Sequence, residues 1–290
     1  MKQKNLLFLI LFLSLTGCID KVQLPVSAPE LVVEGWIEDG GFPVVMVTTT
    51  VPVTDTIADV SELQEHVVNW AKVTVSDGER EVVLTGQKDK NYFPPYIYTS
   101  AFMRGKAGKS YTVKVEYGGR TATAVTTIPA PKPLEYIKVV RSLNNRDMFY
   151  LIGGLKDDPQ TKDYYKVFTK TKYKDTQYVS SFMGLIDDSI IDQDIKEIPI
   201  NNGVGKVDEM LNAYYDVGDQ ISIRFCTLDK AAWRYWSDFE EIQSLSRNPF
   251  FPVSTRIHSN VRGGLGYWAG YGSTYYTVSI LDSLAHGKIY

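Results

Sequence analysis

The sequence predicts a mainly β fold, with an N-terminal Ig-like β-sandwich followed by a second β-rich domain that carries one amphipathic helix. The first observation is composition, because 19 tyrosines, 12 phenylalanines and many Val and Thr are residue types that strands favour. The second is the recurrence of short alternating apolar and polar runs between turn residues. The third is a single segment whose apolar residues repeat at helical spacing. At 290 residues, two domains are the prior expectation.

The chain begins with a basic start and a short apolar run. Lys2 and Lys4 precede the run at 6–15, which is shorter than the roughly 20 apolar residues that a membrane-spanning helix needs. The run therefore has the length of a signal-peptide core. It ends in Leu-Thr-Gly-Cys, which resembles a bacterial lipobox. The resemblance implies cleavage before Cys18 and a diacylglycerol thioether on its sulfur; an ordinary secretory signal with a chance cysteine is the alternative.

Prolines divide the remaining chain. Pro25 and Pro29 punctuate a short segment without periodicity, which we interpret as a flexible tether. The prolines of the run at 128–133 cannot donate regular ladder hydrogen bonds, so we place a domain boundary there. The predicted units are a signal peptide at 1–17, a lipidated tether at 18–29, the Ig-like sandwich at 30–130 and the C-terminal domain at 134–290.

The first domain contains about seven short strand patterns, a number typical of an Ig-like sandwich. They lie at 31–37, 44–50, 71–75, 82–84, 97–100, 111–117 and 120–128. Asp77-Gly78 falls between two of these runs and is a strong hairpin signal, because both central positions of a type I′ turn need positive φ.

Two acidic segments are the candidate metal sites. The segment at 55–69 has one histidine, His66, and no spacing that closes a site, so we interpret it as a solvated helical or irregular loop. The other segment contains the carboxylates Asp187, Asp188, Asp192 and Asp194. It lacks the residue order of an EF-hand. We expect no cofactor beyond the covalent lipid, with calcium at the second segment as a weak alternative.

The second domain resumes the strand patterns and adds the helix. Strands are predicted at 134–140, 148–152, 164–171, 177–183, 221–226 and 274–280. Cys226 ends an alternating apolar run, which favours a core residue over a nucleophile. The helix is predicted near 229–246, where Thr227 and Asp229 both offer an N-cap oxygen. Its apolar face favours core packing and consists of Ala232, Tyr235, Trp236, Phe239 and Ile242.

A glycine-rich segment at 260–272 carries three aromatic residues, Tyr267, Trp268 and Tyr271. Glycines permit tight turns, so we interpret the segment as a rigid aromatic loop that either fills the core or anchors a partner. These three side chains are the candidate partner-binding residues. Part of the segment fits the spacing G-x-G-x-x-A, but a dinucleotide site would require a βαβ unit, and none is predicted.

Three landmarks occur in the same order as in a known family. They are the segment at 31–37, the helix around 233–245 and the segment at 260–271. Together they resemble a Bacteroidota outer-membrane lipoprotein family catalogued as a domain of unknown function (4249). The resemblance implies a β-rich lipoprotein without assigned activity, of a type often encoded beside TonB-dependent outer-membrane receptors. It brings no catalytic residues.

The motif content and the net charge of the chain favour some function classes over others. With three histidines, no Gly-x-Ser-x-Gly elbow and no His-Glu-x-x-His, a hydrolase is poorly supported. The net charge of −3 gives no electrostatic reason to bind nucleic acid. We predict a non-enzymatic outer-membrane lipoprotein, lipid-anchored and surface-facing rather than periplasmic, that serves a TonB-dependent receptor as an accessory or ligand-capture partner. A stand-alone binder of glycan or peptide is the alternative.

Overall fold

The computed structural model describes residues 28–51, 60–142, 148–156, 161–188, 195–203, 213–245 and 257–281. The described strands are β1 (Leu31–Glu38), β2 (Val44–Thr49), β3 (Lys72–Ser76), β4 (Glu81–Val83), β5 (Thr85–Lys88), β6 (Tyr96–Thr99), β7 (Ser110–Tyr117), β8 (Arg120–Thr127), β9 (Tyr136–Arg141), β10 (Met148–Lys156), β11 (Tyr164–Thr171), β12 (Val179–Asp187), β13 (Ile195–Ile200), β14 (Tyr215–Asp216), β15 (Gln220–Leu228) and β16 (Leu265–Ser279). A 3₁₀ helix (Val60–His66) and one α-helix, α1 (Lys230–Leu245), complete the described elements. The mainly β prediction is confirmed.

The largest sheet has eight strands in the order β12-β11-β15-β16-β1-β2-β6-β5. Strands β1 and β16 pair in parallel, with Trp36 opposite Ala269, whereas the other neighbouring pairs in this sheet are antiparallel. The sheet thus joins strands from both predicted β domains. The division at 130–134 and the Ig-like strand arrangement stay predictions.

Two smaller sheets pack on one face of the large sheet. Because successive strand residues point to opposite faces, Leu31, Val33 and Ile37 of β1 share a face, and they pack in one core with β3, β7 and β8. Farther along the same sheet, Ile223 and Phe225 of β15 pack in a second core with β9, β10 and β13. The smaller sheets have the orders β4-β3-β7-β8 and β13-β10-β14, with β9 paired to β10.

Helix α1 packs on the opposite face of the large sheet. Asp229 caps it, because its Oδ1 accepts a hydrogen bond from the Ala232 backbone N–H at 2.7 Å. The predicted aromatic stripe contacts the sheet, with Trp236 in one cluster with Cys226 and Tyr271. The predicted helix is confirmed, and so is the placement of Cys226 in a buried strand position.

The predicted aromatic loop is wrong, because most of that segment belongs to the 15-residue strand β16. Gly263 precedes the strand and has a φ of 79°, as a turn requires, but Gly270 and Gly272 lie within the strand and permit close approach of neighbouring backbone. A Cβ on Gly270 would lie 2.7 Å from the Thr127 carbonyl oxygen, and a Cβ on Gly272 would lie 2.5 Å from that of Pro129. The chain leaving β8 therefore passes directly over β16.

Candidate functional site

An open cleft of about 630 Å³ lies on the helix-bearing face of the large sheet. Its floor is formed by side chains from neighbouring strands, including Trp36 of β1, Phe168 of β11 and Arg224 of β15. The loop between β5 and β6 supplies one wall through residues 91–93, and the loop before β12 supplies another through residues 177–178. Residues of the sheet therefore form most of the cleft, and two loops form its side walls.

Strand alternation explains how the sequence places polar groups here. On β1, Val33 and Ile37 face the core, so Glu34, Trp36 and Glu38 face the cleft. The sequence predicts this strand, but the alternation does not reveal that its second face lines a cleft. The cleft combines carboxylates, a guanidinium and several aromatic rings, which is the chemistry of a pocket for a polar ligand with an apolar part.

Arg224 is the most buried charge of the cleft, with 8% of the residue exposed. Three rings surround its guanidinium: Cζ lies 4.3 Å from the Phe168 ring centroid, 5.3 Å from that of Tyr178 and 5.7 Å from that of Tyr271. Cation–π attraction of this kind stabilises a charge where water is scarce. The guanidinium is thus fixed in position and remains charged at neutral pH.

Glu38 lies next to this arginine without forming a hydrogen bond to it. The distance from Arg224 Nη1 to Glu38 Oε2 is 3.8 Å. The same carboxylate oxygen accepts a hydrogen bond from the Ser273 hydroxyl at 2.6 Å. The hydrogen bond from Ser273 therefore holds the Glu38 carboxylate close enough to attract the Arg224 guanidinium but too far away to accept a hydrogen bond from it.

At another part of the cleft, Glu34 lies against two tyrosine side chains. The Tyr267 hydroxyl donates to Glu34 Oε1 at 3.4 Å, and the Tyr267 ring stacks on Tyr235 with centroids 3.7 Å apart. Burial raises the pKa of Glu34, and the hydrogen bond from Tyr267 only partly opposes this rise. Burial also raises the pKa of Tyr267 well above its usual value, so this hydroxyl stays protonated.

Replacing Glu34 with glutamine is expected to remove a pH-dependent loss of stability. Because the folded-state pKa is raised, the favourable contribution of Glu34 is present below the unfolded-state pKa and is lost as pH rises through the folded-state pKa. The melting temperature of Glu34→Gln should therefore exceed that of the unsubstituted protein at pH 7 to 8, and the difference should shrink near pH 4. The exposed Glu81 provides a control, because Glu81→Gln should leave the curve unchanged. Parallel curves for Glu34→Gln and the unsubstituted protein would contradict the prediction.

The candidate partner-binding residues divide between the core and the cleft. Trp268 is 1% exposed and belongs to the core between β1, β3 and β7. Tyr267 and Tyr271 line the cleft but are also buried, and the Tyr271 hydroxyl accepts a hydrogen bond from Trp236 Nε1 at 3.1 Å. These tyrosines form part of the cleft wall rather than a protruding surface.

Other predicted sites lie partly outside the described residues. Cys18, the signal peptide at 1–17, Asp192 and Asp194 all lie outside them. Of the remaining carboxylates, Asp187 lies 3.5 Å from the Lys162 ammonium, and Asp188 accepts a hydrogen bond from the Asp163 backbone N–H. Among the side chains that the structure describes, no three His, Cys, Asp or Glu residues form a metal-binding group. No helix in the described ranges has the length and apolarity to cross a bilayer.

The residues that give this cleft its charge and its aromatic surface were not predicted from the sequence. These are Trp36, Glu38, Phe168, Tyr178 and Arg224. One signal was present in β15, where apolar residues alternate with polar ones and Arg224 lies on the polar face. That signal marks a half-polar strand, but it does not reveal that three aromatic rings surround the arginine.

Comparison with known proteins gives one family match. The model of a family described as Domain of unknown function (DUF4249) matches residues 19–277. No functionally curated protein matches the sequence significantly. The match spans every described strand except the last residues of β16.

Proposed function

The chain belongs to the family described as Domain of unknown function (DUF4249), and from that premise we propose that it is a non-enzymatic, lipid-anchored outer-membrane protein that captures a ligand in its aromatic cleft. The captured ligand is passed to a TonB-dependent receptor. The observation that carries the proposal is the open cleft of about 630 Å³, whose floor holds the fixed Arg224 guanidinium among aromatic rings.

The size and lining of the cleft support ligand capture. Small-molecule sites are concave, mostly apolar and contain a few convergent polar groups, and this cleft has that composition. Rigid strands supply most of its lining, so binding needs little ordering of the floor. The side loops at 91–93 and 177–178 are the parts of the lining that can adjust to a ligand.

Binding without covalent chemistry is supported by the state of the described thiol. Cys226 is fully buried in β15, and burial raises its pKa to about 11. The thiolate is the nucleophilic form of cysteine, so this thiol is inert at neutral pH. Its place in the fold is that of a small core residue packed beneath helix α1.

The proposed location depends on Cys18 and its lipid. A lipobox-like sequence precedes this cysteine, and about two acyl chains suffice for stable membrane anchoring. The short tether at 18–29 would keep the cleft near the membrane, within reach of a receptor in the same bilayer. Outward-facing anchoring would place the cleft where external ligands arrive.

Affinity purification from the native envelope tests these elements together. The full-length chain, tagged at its C-terminus, is extracted in mild detergent and analysed by native mass spectrometry, beside Cys18→Ser and the cleft-filling variant Ser180→Trp. Ser180 lines the cleft from β12, so a bulky ring there should exclude ligand. We expect a lipidated protein with a stoichiometric β-barrel receptor and a retained small molecule.

The variants separate the parts of the proposal. Cys18→Ser should lose the lipid mass and the receptor, whereas Ser180→Trp should keep the receptor and lose the small molecule. A retained small molecule without any receptor would instead favour the stand-alone binder of glycan or peptide. Absence of both in the unsubstituted protein would overturn ligand capture.

A further inference from the structure

Within the described part of the chain, no carboxylate forms a hydrogen bond with the buried Arg224 guanidinium. Arg224 Nε is fully buried and has no hydrogen-bond partner among the residues that the structure describes. Within that same part of the chain, Glu38 is the only carboxylate within 4 Å of the guanidinium, and its 3.8 Å separation is too long for a hydrogen bond. Burying a charge is unfavourable unless it is paired and hydrogen-bonded, so an anion that reaches the exposed 10% of this side chain would be favoured.

The surrounding rings determine which part of Arg224 can receive a ligand. Phe168, Tyr178 and Tyr271 lie around the guanidinium within cation–π distance. A guanidinium that contacts rings still donates hydrogen bonds in its own plane, and its fork of N–H groups matches the geometry of a carboxylate. The Ser273 hydrogen bond keeps Glu38 from occupying that fork.

Apolar surface lies in the same cleft as the arginine. Trp36 and Tyr92 form an aromatic pair with centroids 6.1 Å apart, and Phe42 is also part of the lining. An apolar ring entering the cleft would bury surface against these side chains. The cleft thus offers one fixed cation and an aromatic wall within a single volume of about 630 Å³.

We propose that the cleft recognises a carboxylate attached to an aromatic ring, with the carboxylate on the Arg224 guanidinium and the ring against the aromatic wall. The inference rests on the proposed ligand capture and names the class of ligand. Recognition is bidentate, so a neutral amide of the same shape is rejected because it cannot pair with the buried charge. The nearby Glu38 weakens binding because its negative charge faces the incoming carboxylate.

Benzoate and its neutral isostere benzamide are the probes. Full-length protein, dialysed free of small molecules, is titrated with each by ligand-observed NMR. We expect benzoate to bind about tenfold or more tightly than benzamide, and Arg224→Met to remove this preference while keeping the apolar stem of the side chain. A melting curve of Arg224→Met verifies that the variant is folded.

Glu38→Gln provides a variant that keeps Arg224 in place. Removing the neighbouring negative charge should raise the affinity for benzoate about threefold or more without changing that for benzamide. This gain of binding cannot result from misfolding. A loss of benzoate affinity in Glu38→Gln would overturn the assignment of the carboxylate to Arg224.

The outcomes distinguish this inference from the broader proposal. Equal binding of benzoate and benzamide, each excluded by Ser180→Trp, would overturn the carboxylate specificity and leave ligand capture standing. If neither benzoate nor benzamide binds while native mass spectrometry shows a retained small molecule, the carboxylate assignment alone would be overturned. If neither probe binds and no small molecule is retained, both the carboxylate assignment and ligand capture would be overturned.

Discussion

Replacing Trp268 with alanine is expected to lower the free energy of unfolding by about 3–5 kcal/mol, the range for deleting a large aromatic side chain from a core. The residue is 1% exposed, and its Nε1–H donates to the Tyr111 carbonyl oxygen at 3.0 Å. Its ring also fills the space beside Gly35, where a Cβ would lie 3.0 Å from Trp268 Cε3. The variant therefore leaves a cavity and removes a buried hydrogen bond.

Urea unfolding followed by far-UV circular dichroism measures this loss. The matched control is Trp70→Ala, because Trp70 is 89% exposed and its truncation should change stability by less than about 0.5 kcal/mol. A small effect at Trp268, combined with weakened binding of a partner, would instead restore the original interpretation of this residue as a partner anchor. Equal effects for both tryptophans would contradict the core assignment.

The second large effect is expected at the ion pair beneath helix α1. Lys166 of β11 is fully buried, and its ammonium contacts the carboxylate of Glu240 on the helix and lies 5.0 Å from the Trp236 ring centroid. Replacing Glu240 with glutamine leaves this ammonium without its counterion, and we expect a loss of about 3–5 kcal/mol. Lys166→Met should cost much less, because the side chain of Glu240 is 26% exposed and can be hydrated.

The double variant Lys166→Met/Glu240→Gln completes a thermodynamic cycle and should recover most of the stability lost in Glu240→Gln. The pH dependence provides a second measurement. Burial lowers the pKa of Lys166 in the folded protein. At pH values between the folded-state and the unfolded-state pKa, the lysine is therefore protonated in the unfolded chain and neutral in the folded protein. Stability of Glu240→Gln should therefore rise with pH across that alkaline window, and Lys166→Met should abolish the rise. A flat profile in Glu240→Gln would show that the ammonium is hydrated.

Local chemistry predicted individual elements well. The alternation in β1 and β7 specified strands with one buried face, and Asp77-Gly78 correctly marked the hairpin between β3 and β4. The predicted type I′ geometry is wrong, because Gly78 has a φ of 87° but Asp77 does not have positive φ, and the loop spans the four residues 77–80. Asp229 and the aromatic stripe specified helix α1. Each of these signals acts within a few residues, through backbone φ, a cap or the side-chain period.

Other elements were missed because their local signals are weak or misleading. Strand β5 is short and mostly exposed at the end of the large sheet, so its sequence has no buried alternation. Strand β13 follows an acidic segment that was interpreted as a candidate metal site and not as the approach to a strand. Its Ile198 and Ile200 face the second core. In β16, glycines predict turns locally, but here they permit neighbouring backbone to approach closely.

The sequence alone determined a mainly β chain with one capped helix, a lipobox-like start and the family to which the chain belongs. Only the tertiary structure decided that β1 pairs in parallel with β16, because periodicity defines the faces of a strand and not its neighbours. That pairing brings Glu38 of β1 beside Ser273 of β16 and within 3.8 Å of Arg224. The guanidinium is buried among rings from two other strands and a loop, so long-range packing rather than local periodicity places this charge in the cleft.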